Sequence, residues 1–171
     1  MNLHREHHFE REICEHLAAN GWLYADGDAA HYDREHALFL PDLLAWIEQT
    51  QPASWQALIK THGPQLGERV AARVRKSLDE RGTLDVLRRG VEMVGLKAPL
   101  SVVQFKPALA MNPVIQQHYA ANRLRVVRQI RHSLNNPQDC VDLVLFVNGI
   151  AVATAELKSD FTQSVGDAVD Q

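Results

Sequence analysis

Residues 142–158 read Asp142-Leu-Val-Leu-Phe-Val-Asn-Gly-Ile-Ala-Val-Ala-Thr-Ala-Glu156-Leu-Lys158. Val141–Val147 and Ile150–Leu157 are short apolar runs rich in β-branched side chains, each the length of a strand. Asn148-Gly149 between them is a strong hairpin signal, because both residues tolerate positive φ. Side chains alternate faces along a strand, so Glu156 and Lys158 share one face, and Asp142 is expected on the face of Val144 and Phe146. Antiparallel pairing sets Asp142 near Glu156. Two carboxylates and an ammonium are therefore expected to meet at one edge of a sheet.

That set suits one kind of chemistry. Carboxylates bind hard divalent cations such as Mg²⁺, which keep several waters and share their remaining positions with phosphate oxygens. The ion polarises phosphorus and lowers the pKa of a bound water. A lysine alongside can orient that water or neutralise charge developing in the transition state. The plainer alternative is a surface hairpin ending in an ordinary Glu/Lys pair. It leaves unexplained why acids open and close two apolar strands, where they are costly unless paired or metal-bound.

A chain of 171 residues is about one domain with room for a real core. Its 46% apolar and 23% charged residues match a soluble globular protein. No apolar run approaches the ~20 residues of a membrane span, and the polar start Met1-Asn-Leu-His-Arg-Glu-His-His8 is not a secretory signal. Two cysteines, Cys14 and Cys140, form no spaced framework and read as free thiols in a reducing cytosol. A net charge of −3 does not mark a nucleic-acid binder. The basic residues are nonetheless clustered. Arg69, Arg73, Arg75 and Lys76 read as a solvated helix face. For Arg123, Arg125, Arg128, Arg131 and His132, beside the hairpin, phosphate contact and solvated surface are both open.

Apolar spacing predicts helices over residues 5–20, 35–49, 54–62, 66–81, 84–94, 112–122 and 159–171, and strands over 100–105 and 124–130, with Gly, Pro and Asn punctuating them. Glu10 lies beside the stripe formed by Phe9, Ile13 and Leu17. It is a candidate third carboxylate, or else a boundary residue reaching solvent. Asp26, Asp28 and Asp33 lack EF-hand spacing, and His4 and His8 lack partners for a zinc site. Neither a P-loop nor a nucleophile elbow occurs.

Taken together, these residues resemble the N-terminal nuclease domain of the R (restriction) subunit of type I restriction enzymes, a branch of the PD-(D/E)xK nuclease superfamily. The resemblance spans most of the chain. In the first half it is carried by Phe9-Glu10 with Ile13, and by Gly21-Trp22. Further on come Val102-Val-Gln-Phe-Lys-Pro107, Asn112-Pro113 and Tyr119-Ala-Ala-Asn-Arg-Leu-Arg-Val-Val-Arg-Gln-Ile-Arg131. It ends on Val141-Asp-Leu-Val-Leu-Phe-Val-Asn-Gly149 and Ala155-Glu-Leu-Lys158.

The resemblance implies an α/β fold, with a restriction-endonuclease-like mixed central sheet flanked by helices. Residues 1–171 would form one nuclease domain with a helical insertion at about 35–95. It implies Mg²⁺-dependent endonucleolytic cleavage of double-stranded DNA, with Asp142 and Glu156 as the metal-binding acids and Lys158 as the catalytic lysine. Glu10 resembles the acid from the first helix. Gln171 matches the glutamine of a Gln-x-x-x-Tyr element whose tyrosine would fall beyond the last residue. Val141 stands where the superfamily name has proline. A full R subunit also carries an ATP-driven motor, absent from these residues, so the chain is expected to be an N-terminal fragment of a longer cytoplasmic protein. Its expected partners are DNA and the specificity and methylation subunits, with no membrane. Two rivals stay open: a non-catalytic nuclease-like docking module for the motor or methylation subunits, and a stand-alone nuclease of another branch.

Overall fold

Three strands, β1 (Leu124–Arg131), β2 (Cys140–Val147) and β3 (Ile150–Ala155), form an antiparallel sheet in the order β1-β2-β3. The computed structural model describes residues 3–109, 111–136 and 138–157. Leu124 pairs with Val147 and Arg131 with Cys140, while Leu143 pairs with Ala155 and Val147 with Ile150. A parallel bridge from Leu23 to Arg125 extends the far side of β1.

The Asn148-Gly149 turn is where the sheet meets the helices. Asn148 (φ 47°) and Gly149 (φ 77°) both take the left-handed conformation that a two-residue hairpin requires. Asn148 is fully buried. Its Nδ2 donates to the Val102 carbonyl and to Asn122 Oδ1, both at 2.9 Å, and its Oδ1 accepts from the Arg123 backbone N–H at 2.7 Å. The Phe39 N–H donates to the Gly149 carbonyl at 2.8 Å. A Cβ at position 149 would overlap the Phe39 carbonyl oxygen.

Helices α1 (Leu3–Ala19), α2 (Leu40–Thr50), α3 (Pro52–His62), α4 (Leu66–Arg81), α5 (Thr83–Arg89) and α6 (Pro113–Ala120) complete the main described elements. Leu43, Trp46, Leu58, Val70, Val74 and Val86 of α2–α5 bury a common core that also takes in Leu100, Val102 and Ile150. In α4, Leu66, Val70 and Val74 face that core at helical spacing, whereas Arg75–Asp79 and Lys76–Glu80 pair one turn apart on its solvated side. One sheet face packs on α1, through Cys14 against Val126 and Leu143. The other packs on Phe39, Ala29 and Tyr32, through Val127, Ile130, Val144 and Phe146.

The α/β architecture agrees with the expectation, and α4 falls where its spacing places it. Other bounds move for identifiable reasons. The second helix begins at Leu40 rather than at residue 35, because Asp33 Oδ1 accepts from the backbone N–H groups of Glu35 and His36, both at 3.0 Å, and turns the chain. The fifth helix stops at Arg89 because Gly90 (φ 68°) reverses the chain so that Val91 pairs with Leu100. That bridge is the sheet pairing found in the expected strand over 100–105 among the described residues. The last strand is buried only at its start, and residues 152–156 are exposed. The helix expected over 159–171 lies outside the described residues. No described helix is long and apolar enough to cross a membrane.

Gly149→Ala should lower the unfolding free energy by about 2 kcal/mol, through backbone strain and the clash with Phe39. Urea denaturation of the two proteins measures the difference.

Candidate functional site

Glu10 is the acid on α1 that the sheet engages. It is 1% exposed, although it stands on a helix whose neighbouring acids, Glu12 and Glu15, are exposed. Its Oε2 accepts from Arg128 Nε at 3.2 Å, and its Oε1 accepts from Gln129 Nε2 at 2.9 Å. His7 Nδ1 lies 3.3 Å from Oε1.

Gln129 carries this contact to the second acid. Its Nε2 also donates to Asp142 Oδ1 at 3.2 Å. One amide nitrogen thus bridges Glu10 and Asp142, so their oxygens lie no further apart than two hydrogen bonds end to end. Asp142 Oδ2 accepts from the Leu157 backbone N–H at 2.7 Å. The ladder between β2 and β3 reaches Leu143–Ala155, and one more pair would set Asp142 opposite Glu156.

The face of Asp142 differs from the expectation. Strict alternation would give Asp142 the face of Val144 and Phe146. Instead Val141 packs with Val144, and Ile130 with Val127, an odd number of residues apart in each strand. The alternation is reset at Gln129, whose φ of 52° is rare for a residue with a side chain. Arg128 and Gln129, adjacent in sequence, can therefore both reach Glu10.

Glu156 is exposed, contrary to the burial expected from its apolar run, because β3 is open to solvent there. Its charge nonetheless reaches the same corner. The Cys140 thiol is raised above its usual value, first by burial, then by Asp142, with smaller contributions from Glu10 and Glu156 and an opposing one from Arg131. Three of the five expected site residues, Glu10, Asp142 and Glu156, therefore act on one half-buried thiol. Lys158 and Gln171 lie outside the described residues.

The arginines beside the hairpin are engaged internally. Arg123 pairs with Asp42 at 2.8 Å, Arg125 with Asp28 and Asp42 at 2.6 Å each, and Arg128 with Glu10. Burial lowers the Arg128 pKa, but the Tyr24 hydroxyl and Glu10 more than offset it and the net shift is upward. A cavity of about 210 Å³ lies beside Arg128 and Gln129, lined also by Tyr24, Asp26 and Asp28 among others. A larger one, about 670 Å³, lies between α4 and residues 92–99 and shares no residue with it. Two of the larger cavity's basic groups already bond to backbone oxygens, Arg73 to Glu92 and His62 to Val94.

As a metal centre, the donor chemistry fits a hard cation, since both converging groups are carboxylates and Mg²⁺ needs only one or two of them beside its waters. Among the described residues, no three Asp, Glu, His or Cys side chains converge closely enough to hold one ion. The facing oxygens of Glu10 and Asp142 are occupied by the Gln129 amide. Sequence reasoning does not single out Gln129. The available signal is its place opposite Asp142 once β1 and β2 are paired.

The family model described as type I restriction enzyme R protein N terminus matches residues 5–171. No curated protein and no solved structure matches the chain.

Iodoacetamide labelling of Cys140 against pH should show a midpoint above the ordinary thiol value of about 8.5. Asp142→Asn should lower that midpoint and Glu156→Gln should lower it less, following their order of influence. Cys14, buried and pushed up to about 11, stays silent below that range. An unmoved midpoint in Asp142→Asn would show that this charge does not reach the thiol.

Proposed function

The chain belongs to the family of type I restriction enzyme R protein N termini, and from that premise we propose that it is the nuclease domain of an R subunit, cleaving double-stranded DNA with Mg²⁺. The observation that carries this reading is the junction of Glu10 and Asp142 on one amide nitrogen. Two acids from distant parts of the sequence are held together where the hairpin brings Glu156 close.

In the proposed mechanism, Asp142 and Glu156 hold the metal. The bound ion supplies Lewis acidity toward the scissile phosphate and a more acidic water. Lys158, one residue beyond the Leu157 N–H that anchors Asp142, orients the attacking water. Glu10 sets the charge balance on the α1 side, with Arg128 neutralising it. Gln171 supports the site from the segment after the lysine. Specificity and methylation subunits would select the DNA, and the work would take place in the cytoplasm. The site would then need to read only phosphates, which carry no sequence information.

Isothermal calorimetry with Mn²⁺ should show binding to the chain that Asp142→Ala abolishes; equal binding by the variant would remove Asp142 from the metal site. In an R subunit assembled with its partners, Lys158→Ala should reduce DNA cleavage by about a hundredfold or more while ATP hydrolysis continues. Undiminished cutting would reject the role of the lysine.

A further inference from the structure

We propose that the Gln129 carboxamide is a lock on the acid corner: it ties Asp142 Oδ1, an oxygen that a divalent cation held by Asp142 and Glu156 would take, to Glu10, and must swing out to free that oxygen for the ion. The inference rests on the reading of Asp142 as a metal ligand and assigns a new role to a residue beside it.

The orientation of the amide is fixed by its partners. Nε2 faces two carboxylates, and Oε1 accepts from Cys140 Sγ at 3.2 Å. Only the NH₂ group can satisfy two acceptors at once. Each carboxylate has a second anchor that does not involve Gln129. Glu10 Oε2 is held by Arg128 and Asp142 Oδ2 by the Leu157 N–H. The oxygens under the amide, Glu10 Oε1 and Asp142 Oδ1, are thus the pair that its departure would release, with His7 Nδ1 remaining near Oε1. The acids would keep their places without the amide, so its contribution is to tie up these oxygens.

Two further features fit a movable part. Gln129 holds a φ of 52°, a conformation costly for its residue type and maintained by its surroundings. It also borders the cavity of about 210 Å³ beside Tyr24, Asp26 and Arg128. An ion entering the site must therefore break two hydrogen bonds to carboxylates, and the affinity of the wild-type site is lowered by that amount.

The test is Mn²⁺ calorimetry on the purified chain and two variants. Gln129→Gly removes the amide and suits the positive φ. Gln129→Asn tolerates that φ but is too short to span both acids. Both should bind Mn²⁺ more tightly than wild type by about a hundredfold or more, the equivalent of two hydrogen bonds to charged groups. Adding Asp142→Ala should abolish the gain. Binding by the variants where wild type shows none supports the lock as well. Wild-type binding with equal or weaker binding in both variants overturns the lock and leaves the metal site standing. An absence of binding in all three proteins overturns both. Should circular dichroism show Gln129→Gly unfolded, Gln129→Asn decides.

Discussion

The guanidinium of Arg125 is held between two buried carboxylates, Asp28 and Asp42, and lies 4.3 Å from the centre of the Phe39 ring. Three segments far apart in sequence meet there: the turn after α1, the start of α2 and the first half of β1. Each charge has been taken out of water, which costs several kcal/mol per ion and is offset only where partners are close and well aligned. Losing one partner would strand the others and cost about 3–5 kcal/mol. Arg123, paired to the same Asp42, extends the clamp toward the hairpin turn. The position of β1 against the helices is therefore set by electrostatics as much as by apolar packing.

With β1 fixed, the acid corner follows. Cys14 of α1 packs on Val126 and Leu143, which lays the helix across the sheet and carries Glu10 to Arg128. A buried carboxylate needs such a partner, and Arg128 supplies the charge while Gln129 supplies a second donor. The left-handed turn at Gln129 breaks the alternation of both strands and brings Asp142 to the side of Glu10. An unusual backbone conformation in mid-strand is most readily maintained where several contacts hold it, and here two acids and a thiol do so.

Much of this is legible in the sequence, and the failures have physical causes. Asn148-Gly149 announces the hairpin because few dipeptides accept two positive φ values, and α4 announces itself because its apolar residues keep helical spacing over four turns. The early end of α5 is signalled by Gly90, which periodicity alone passes over. Apolar spacing extends α2 back over residues 35–39 because it cannot register the side chain of Asp33 capturing two backbone donors. The face of Asp142 could not be read, since alternation assumes every strand residue is extended. The arginines of β1 and its approach show their charge in the sequence but not their main acidic partners, which lie 81 to 118 positions away.

Those pairings bear on how nucleic acid would reach the site. In a chain of net charge −3, Arg123, Arg125 and Arg128 are already paired to acids and lend the corner little free positive potential, while Arg131 stays exposed near Cys140. Long-range attraction to phosphate falls as cations are neutralised by neighbouring anions. Two adjacent carboxylates further repel a phosphodiester until their charge is reduced. On the proposed reading, Asp142 and Glu156 would hold a cation whose charge would offset theirs and make the corner able to accept a phosphate. An amide that keeps the cation out until displaced would then hold the corner in its repulsive state.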